Sequence, residues 1–173
     1  GGATDPQGFW SEEVERAESL EEVGEKYSYD KAHCQQVARI AGILFQKLQD
    51  LHGLPERCSR LLHAAAMLHD IGLFIGYAKH HKHSYYLIRS SGPSAFDPIE
   101  LDLIANVARY HRKAHPSPKH LPFGQLSATQ QDVVRKLAAI LRIADALDYG
   151  HQSKVQDIEC KLSSPKRILS IRL

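Results

Sequence analysis

Four helix-period stripes of apolar residues in this chain each run into a polar, metal-competent side chain at a position where the period calls for an apolar one. Between Asp30 and Leu51 the residues Val37, Ile40, Ala41, Leu44 and Leu48 recur at spacings of three and four, the pattern of a helix with one buried face. His33 falls four before Val37, on that face. A second stripe, Cys58, Leu61, Leu62, Ala65 and Leu68, follows the Gly53-Leu54-Pro55 break and is expected to continue until Gly72 caps it. His69 lies four after Ala65, with Asp70 beside it. Asp97-Pro98-Ile99-Glu100 combines an N-cap acid, a first-turn proline and a reciprocal glutamate. His111 follows Ile104, Val107 and Ala108 on the helix that this segment starts. Ser127 and Gln130 have capping-box spacing, and the stripe Val134, Leu137, Ala138, Leu141 and Ala144 then leads to Asp145, four after Leu141.

The remaining elements are shorter. Ser19 and Glu22 open a brief helix ending near Tyr27. After the apolar link Phe74 to Tyr77, the run Lys79-His80-His81-Lys82-His83 leads into a helix through Tyr86, Leu87 and Ile88, which Ser90-Ser91-Gly92-Pro93 ends. Pro116, Pro118 and Pro122 mark a loop. Beyond Gly150 the period changes to two: Ile158, Cys160 and Leu162 alternate, Ser163-Ser164-Pro165-Lys166 turns, and Leu169, Ile171 and Leu173 alternate again, which predicts a β-hairpin. The expected architecture is all-α, a helical bundle over residues 19–151 with a small hairpin at 152–173. Residues 1–18, without an initiator methionine or an apolar signal core, are expected to be a lead-in outside the fold.

Bulk properties narrow the classes. The chain has 173 residues, 43% of them hydrophobic, which suits one domain with a real core. No apolar run approaches the roughly 20 residues needed to cross a bilayer. Three cysteines, Cys34, Cys58 and Cys160, without CxxC spacing argue against both a disulfide framework and a cysteine zinc site, and a reducing, cytoplasmic compartment is expected. The net charge of +2 divides into −7 over residues 1–30 and +9 over the rest. A basic body suits a polyanionic partner, although a solvated surface accounts for the acidic lead-in equally well. No glycine-rich phosphate loop or GxSxG motif is present.

His33, the His69-Asp70 pair, His111 and Asp145 therefore carry the chemistry. A lone inward histidine is more often a hydrogen-bonded core residue than a ligand. Several buried polar groups on separate helices are nevertheless satisfied together most simply by convergence on one centre, as in helical-bundle metal sites. A buried carboxylate costs several kcal/mol unless its charge is compensated, and a divalent cation does this while accepting neutral imidazoles.

A first His, an adjacent His-Asp pair and a late Asp resemble the signature of the HD metal-phosphohydrolase superfamily. The segments "AAAMLHDIG", "HHKHSYYLI", "IANVARYHR" and "LRIADALD" resemble the helical C-terminal domain of the exopolyphosphatase and guanosine pentaphosphate phosphohydrolase (Ppx/GppA) family, over roughly Tyr27 to His151. The resemblance implies a first metal position at His33, His69, Asp70 and Asp145, with Asp70 able to bridge to a second ion at His83 and His111, and with His69 and Asp70 as the catalytic pair. One or two ions are implied; manganese, iron, zinc or nickel suit mixed nitrogen and oxygen donors better than magnesium. An ion there would activate water and polarise a phosphoryl oxygen, leading to hydrolysis of a phosphoanhydride or phosphoester in polyphosphate or a guanosine polyphosphate. Lys79, Lys82, Arg109, Arg112, Lys113 and Lys119 are the candidate clamps for substrate oxygens.

The same resemblance supplies the alternative. The family's phosphate-releasing chemistry is attributed to an actin-like half that precedes the helical domain, and the first 30 residues are too short to contain one. A noncatalytic module that binds polyphosphate or nucleotide, partners an actin-like phosphatase domain or subunit and pairs as a homodimer through the hairpin edge is the second expectation; a stand-alone cyclic-nucleotide or alarmone hydrolase is a third. Neither a membrane nor specific nucleic-acid binding is expected.

Overall fold

Small side chains on one central helix let the others close around it. In the computed structural model, which describes residues 19–163 and 168–173, Ala64, Ala65, Ala66 and Leu68 are all fully buried, so this helix is apolar around most of its circumference. It is α4 in the order α1 (Leu20–Lys26), α2 (Lys31–Lys47), α3 (Gln49–His52), α4 (Arg57–Leu68), a 3-10 turn (Ile71–Phe74), α5 (His80–Ser91), α6 (Pro98–Arg109), α7 (Leu121–Gly124) and α8 (Ala128–Leu147). Strands β1 (Glu159–Ser163) and β2 (Ile168–Arg172) follow. α2 packs on α4 and α8, α6 on α4 and α8, and α5 on α6 and the 3-10 turn. The expected lead-in over residues 1–18 and the centre of the expected hairpin turn, Ser164-Pro165-Lys166, lie outside the described residues. Among those described, no helix is long and apolar enough to cross a membrane.

Four N-termini, those of α1, α2, α6 and α8, follow the sequence closely because their caps are local. Ser19 accepts from the Glu22 amide, Asp30 from His33, and the Asp97/Glu100 and Ser127/Gln130 pairs form complete reciprocal capping boxes. The C-termini of the helices begun at Lys31 and Arg57 depart from it. The helix expected over Asp30–Leu51 divides at Leu48, and Gly53 then takes the left-handed conformation, φ 62°, that ends α3. The proline-rich stretch expected as loop contains the one-turn helix α7.

α4 ends at Leu68, not at Gly72, and His69 and Asp70 form the turn that leaves it. Gly72 serves a different purpose. A Cβ there would lie 2.1 Å from the His80 carbonyl oxygen and 2.4 Å from the Ser84 nitrogen, so the absent side chain is what lets the 3-10 turn lie directly on α5. Ser84 locks that contact, accepting from the Gly72 amide at 2.9 Å and donating to the His69 carbonyl at 2.7 Å.

The hairpin pairs antiparallel from Glu159↔Arg172 to Ser163↔Ile168, and the face holding Cys160, Leu169 and Ile171 packs against the helical core. Gln36 and Arg39 of α2 both donate to the Val155 carbonyl and Arg39 also to that of Gln156, tying the lead into β1 to the bundle.

Two glycine substitutions separate close approach from helix propensity. Gly72→Ala is expected to lower unfolding free energy by about 1–3 kcal/mol through overpacking. Gly42→Ala, exposed in mid-α2 with nothing within 4 Å of its added Cβ, is expected to raise it by up to about 1 kcal/mol. Urea denaturation of both variants checks the pair.

Candidate metal centre

Helix ends, rather than helix faces, supply most of the polar side chains that meet in the bundle. His33 lies in the first turn of α2, where its amide is already engaged by Asp30 at 3.1 Å. His69 and Asp70 leave α4, His80 opens α5, His111 lies two residues past α6, and Asp145 sits in the last turn of α8. The Asp145 Oδ1 is 3.0 Å from His33 Nε2 and 3.2 Å from His69 Nε2. Asp70 Oδ2 is 3.1 Å from His69 Nε2 and 3.7 Å from His33 Nε2. Its other oxygen, Oδ1, is 3.0 Å from His80 Nε2 and 3.3 Å from His111 Nε2.

Each ring has a reason to point its Nε2 inward. His69 and His111 direct Nδ1 at the carbonyl three residues back, Ala66 and Ala108, both at 2.6 Å and both in the last turn of a helix; the Ala108 carbonyl also accepts the His111 amide at 3.2 Å. His33 Nδ1 lies 2.7 Å from Asp148 Oδ2. With Nδ1 as donor, Nε2 keeps a free lone pair, the form in which imidazole binds a metal. His80 Nδ1 has two neighbours that exclude each other: the Arg112 Nη1 donor at 2.9 Å and the Tyr77 carbonyl at 3.2 Å. The guanidinium is always a donor, so this contact places the ring proton on Nε2, toward Asp70; ligation through Nε2 requires that proton to move to Nδ1, where Tyr77 can accept it.

The electrostatics favour a cation. Burial would raise the Asp70 pKa, but the His69 charge and hydrogen bonds from His111, His69 and His80 outweigh it and hold the carboxyl far below the usual range. Asp145 behaves alike, burial being outweighed by hydrogen bonds from His33 and His69. For His33, burial acts to lower the pKa and hydrogen bonds to Asp145 and Asp148 reverse it to a net rise. Burial likewise opposes ionisation of His69, and the Asp70 charge with the bond to Asp145 raises its pKa well above the ordinary value. His111 is lowered, burial outweighing Asp70. Two ionised carboxylates thus lie among buried imidazoles, and without an ion they draw protons onto His33 and His69.

The donor set fits a divalent ion. His33, His69, Asp70 and Asp145 each offer one atom within 4.8 Å of the others, as do Asp70, His80 and His111. The close separations of 3.0–3.7 Å are those of neighbouring ligands on one ion with bonds of about 2.0–2.2 Å.

Not every expected residue lies there. His83, expected in the second set, sits half-buried off the inward face of α5, which is formed by His80, His81, Ser84, Tyr85 and Ile88. His80 takes its place because α5 begins at His80, after Lys79 in a left-handed conformation of φ 58°. Of the expected clamps, Arg112 is nearest, on His80 and over the Tyr77 ring at 5.5 Å. Lys82 is exposed, yet near enough for its charge to contribute to the lowering of the His81 pKa, which burial first and then His111, Arg112 and His80 bring to about 4. Arg109 lies over the Tyr110 ring. Lys79, Lys113 and Lys119 are exposed. Arg142 holds the carbonyls of Lys113 and Ala114 and the ring of His115. Asp148 is the residue that the sequence reading passed over. Its signal was present: it follows Asp145 by three and so shares its helix face.

A helical bundle that gathers a His, a His-Asp pair and a late Asp around one pocket is built like an HD-type domain. The chain belongs to the Ppx/GppA phosphatase family, whose domain III matches residues 15–173. It is similar to the guanosine-5'-triphosphate,3'-diphosphate pyrophosphatase of Vibrio vulnificus, 30% identical over 142 residues, covering 82% of this chain and 28% of the relative. Proteins of the same name from Pseudoalteromonas translucida (31% over 137 residues, 76% and 26%) and Aeromonas hydrophila (35% over 123 residues, 69% and 24%) are also similar. The chain spans about a quarter of the length of these relatives.

The pKa directions set a pH dependence. His33 and His69, raised above 6.5 in the ion-free fold, stabilise it below that pH, and the contribution is lost as pH rises through their folded values. An ion needs both rings neutral, so its affinity should rise with pH by about tenfold per unit for each proton displaced. Calorimetric titration with Mn²⁺ or Zn²⁺ between about pH 5.5 and 8 tests this, and the ion-induced rise in melting temperature should widen over the same interval.

Proposed function

We propose that this chain is a metal-dependent phosphohydrolase domain that cleaves phosphoanhydride or phosphoester bonds in anionic substrates of the guanosine polyphosphate or polyphosphate class. The observation that carries the reading is the division of Asp70: one oxygen addresses His33 and His69, the other His80 and His111. A carboxylate shared in this way is suited to bridge two ions, the first held by His33, His69, Asp70 and Asp145, the second by Asp70, His80 and His111. Mixed imidazole and carboxylate donors favour manganese, iron, zinc or nickel over magnesium. Ions bound there would supply Lewis acidity toward a phosphoryl oxygen and lower the pKa of an attacking water.

The chain's own residues do the rest. Asp145, with 29% of its side chain exposed against 11% for Asp70, is the more solvent-accessible of the two carboxylates. Arg112, pinned between the Tyr77 ring and His80, is placed to donate to a substrate phosphate, with Lys82 adding charge to the same sector. The names of the relatives, which act on a guanosine carrying five phosphates, support this substrate class.

A second reading rests on length. Because the chain spans about a quarter of those relatives, the reaction could be carried elsewhere in longer members, by an actin-like part, while this domain binds the phosphate-rich ligand. Purified chain loaded with Mn²⁺ and assayed for phosphate release from guanosine pentaphosphate and polyphosphate separates the two. Turnover that Asp70→Ala lowers by at least about 100-fold, beyond the loss seen when only an outer partner of a ligand is removed, supports the enzyme. Bound ion without turnover supports the binding module, and no bound ion at all overturns the metal reading.

A further inference from the structure

The Asp148 carboxylate holds two unrelated parts of the chain. Its Oδ2 lies 2.7 Å from His33 Nδ1, while its Oδ1 accepts the Ser153 amide at 2.9 Å. It caps α8 one turn beyond Asp145, and only 2% of its side chain is exposed.

His33 has a carboxylate at each ring nitrogen, Asp148 at Nδ1 and Asp145 Oδ1 at 3.0 Å from Nε2. A neutral imidazole has one proton to give. Asp145 is partly solvated and is shared with His69; Asp148 is nearer and dry, where a hydrogen bond to an ionised acceptor is strongest. The proton belongs on Nδ1, and Nε2 is left free to face Asp70 and Asp145. The ring is also fixed in plane. His151 stacks on it with centroids 3.5 Å apart and is itself held by Asp30 Oδ2 at 2.8 Å.

Resting on the metal reading above, we propose that Asp148 is a positioning residue of the centre: it locks His33 in the Nδ1–H tautomer, and through Ser153 it ties the segment leaving α8 to that state. It touches neither the ion position nor substrate; it acts through His33.

Asp148→Asn and Asp148→Ala test this. Asparagine has one acceptor oxygen and cannot serve both His33 and Ser153; with its amide turned to the ring it becomes a donor, and the proton moves to Nε2, where it obstructs a ligand bond. Alanine removes the acceptor altogether. Mn²⁺ and Zn²⁺ affinity, measured by calorimetry, is expected to fall by about 10–100-fold in both variants, with Asp148→Glu recovering part of the loss. Nitrogen-15 spectra of the ion-free chain, taken where His33 is neutral, are expected to show Nδ1 protonated in the wild type and Nε2 protonated in the variants. Unchanged affinity overturns the proposal, and so does a loss of affinity with His33 still protonated at Nδ1, which marks a purely structural role. If the wild type binds neither ion, the metal reading alone fails and the spectra still decide the tautomer assignment. If neither variant folds, the wild-type spectrum decides, since protonation at Nε2 overturns the proposal.

Discussion

The Asp70 carboxylate, drawn into the bundle among four imidazoles, is the interaction around which the rest is arranged. A bare carboxylate in so dry a place would cost several kcal/mol, and histidines from α2, α5 and the exits of α4 and α6 surround it. The Nε2 atoms of those rings lie 3.0–3.7 Å from its oxygens, and they are the groups that would share an ion with it. Compensation of one buried charge therefore explains why so many polar side chains are tolerated beside a core of alanine, leucine and isoleucine.

Local backbone chemistry solves half of the orientation problem. His69 and His111 each reach back to the carbonyl of the residue three before, and His80 has the same option at Tyr77. A helix C-terminus exposes carbonyls that need donors, so placing histidine just beyond it satisfies the helix and directs Nε2 away from it in a single step. Ser84 adds the tertiary part, bridging the His69 carbonyl and the Gly72 amide so that the turn holding His69 and Asp70 is tied to α5.

This division explains what was legible in the sequence. The apolar stripes and the Asp97/Glu100 and Ser127/Gln130 boxes read directly, because each is set by residues three or four apart. His33, His69, His111 and Asp145 stand out because they break those stripes, and Asp70 because it adjoins His69; the structure brings all five together. Gly72 was misread as a cap because its role depends on the backbone of α5, far along the chain. His83 was chosen over His80 because the phase of α5 depends on where it starts, and that start follows an exposed lysine in a left-handed conformation with no capping signature. The hairpin period was read correctly, whereas the hold of Gln36 and Arg39 on Val155 crosses more than 100 residues and leaves no local trace.

α8 acts as the ruler of the site. Arg142, Asp145 and Asp148 recur every three residues, which keeps them close to one face. The first holds the loop after α6 through the Lys113 and Ala114 carbonyls, the second faces His33 and His69, and the third holds His33 and the exit segment. A rotation or slide of α8 would therefore move the loop beside His111, the most solvent-open carboxylate of the centre and the His33 tautomer lock together. The core face of the same helix, Val134, Leu137, Ala138, Leu141 and Ala144, is fully or almost fully buried, so such a motion would also disrupt close packing. Rigidity of this one helix is what allows groups from distant parts of the chain to keep a common geometry.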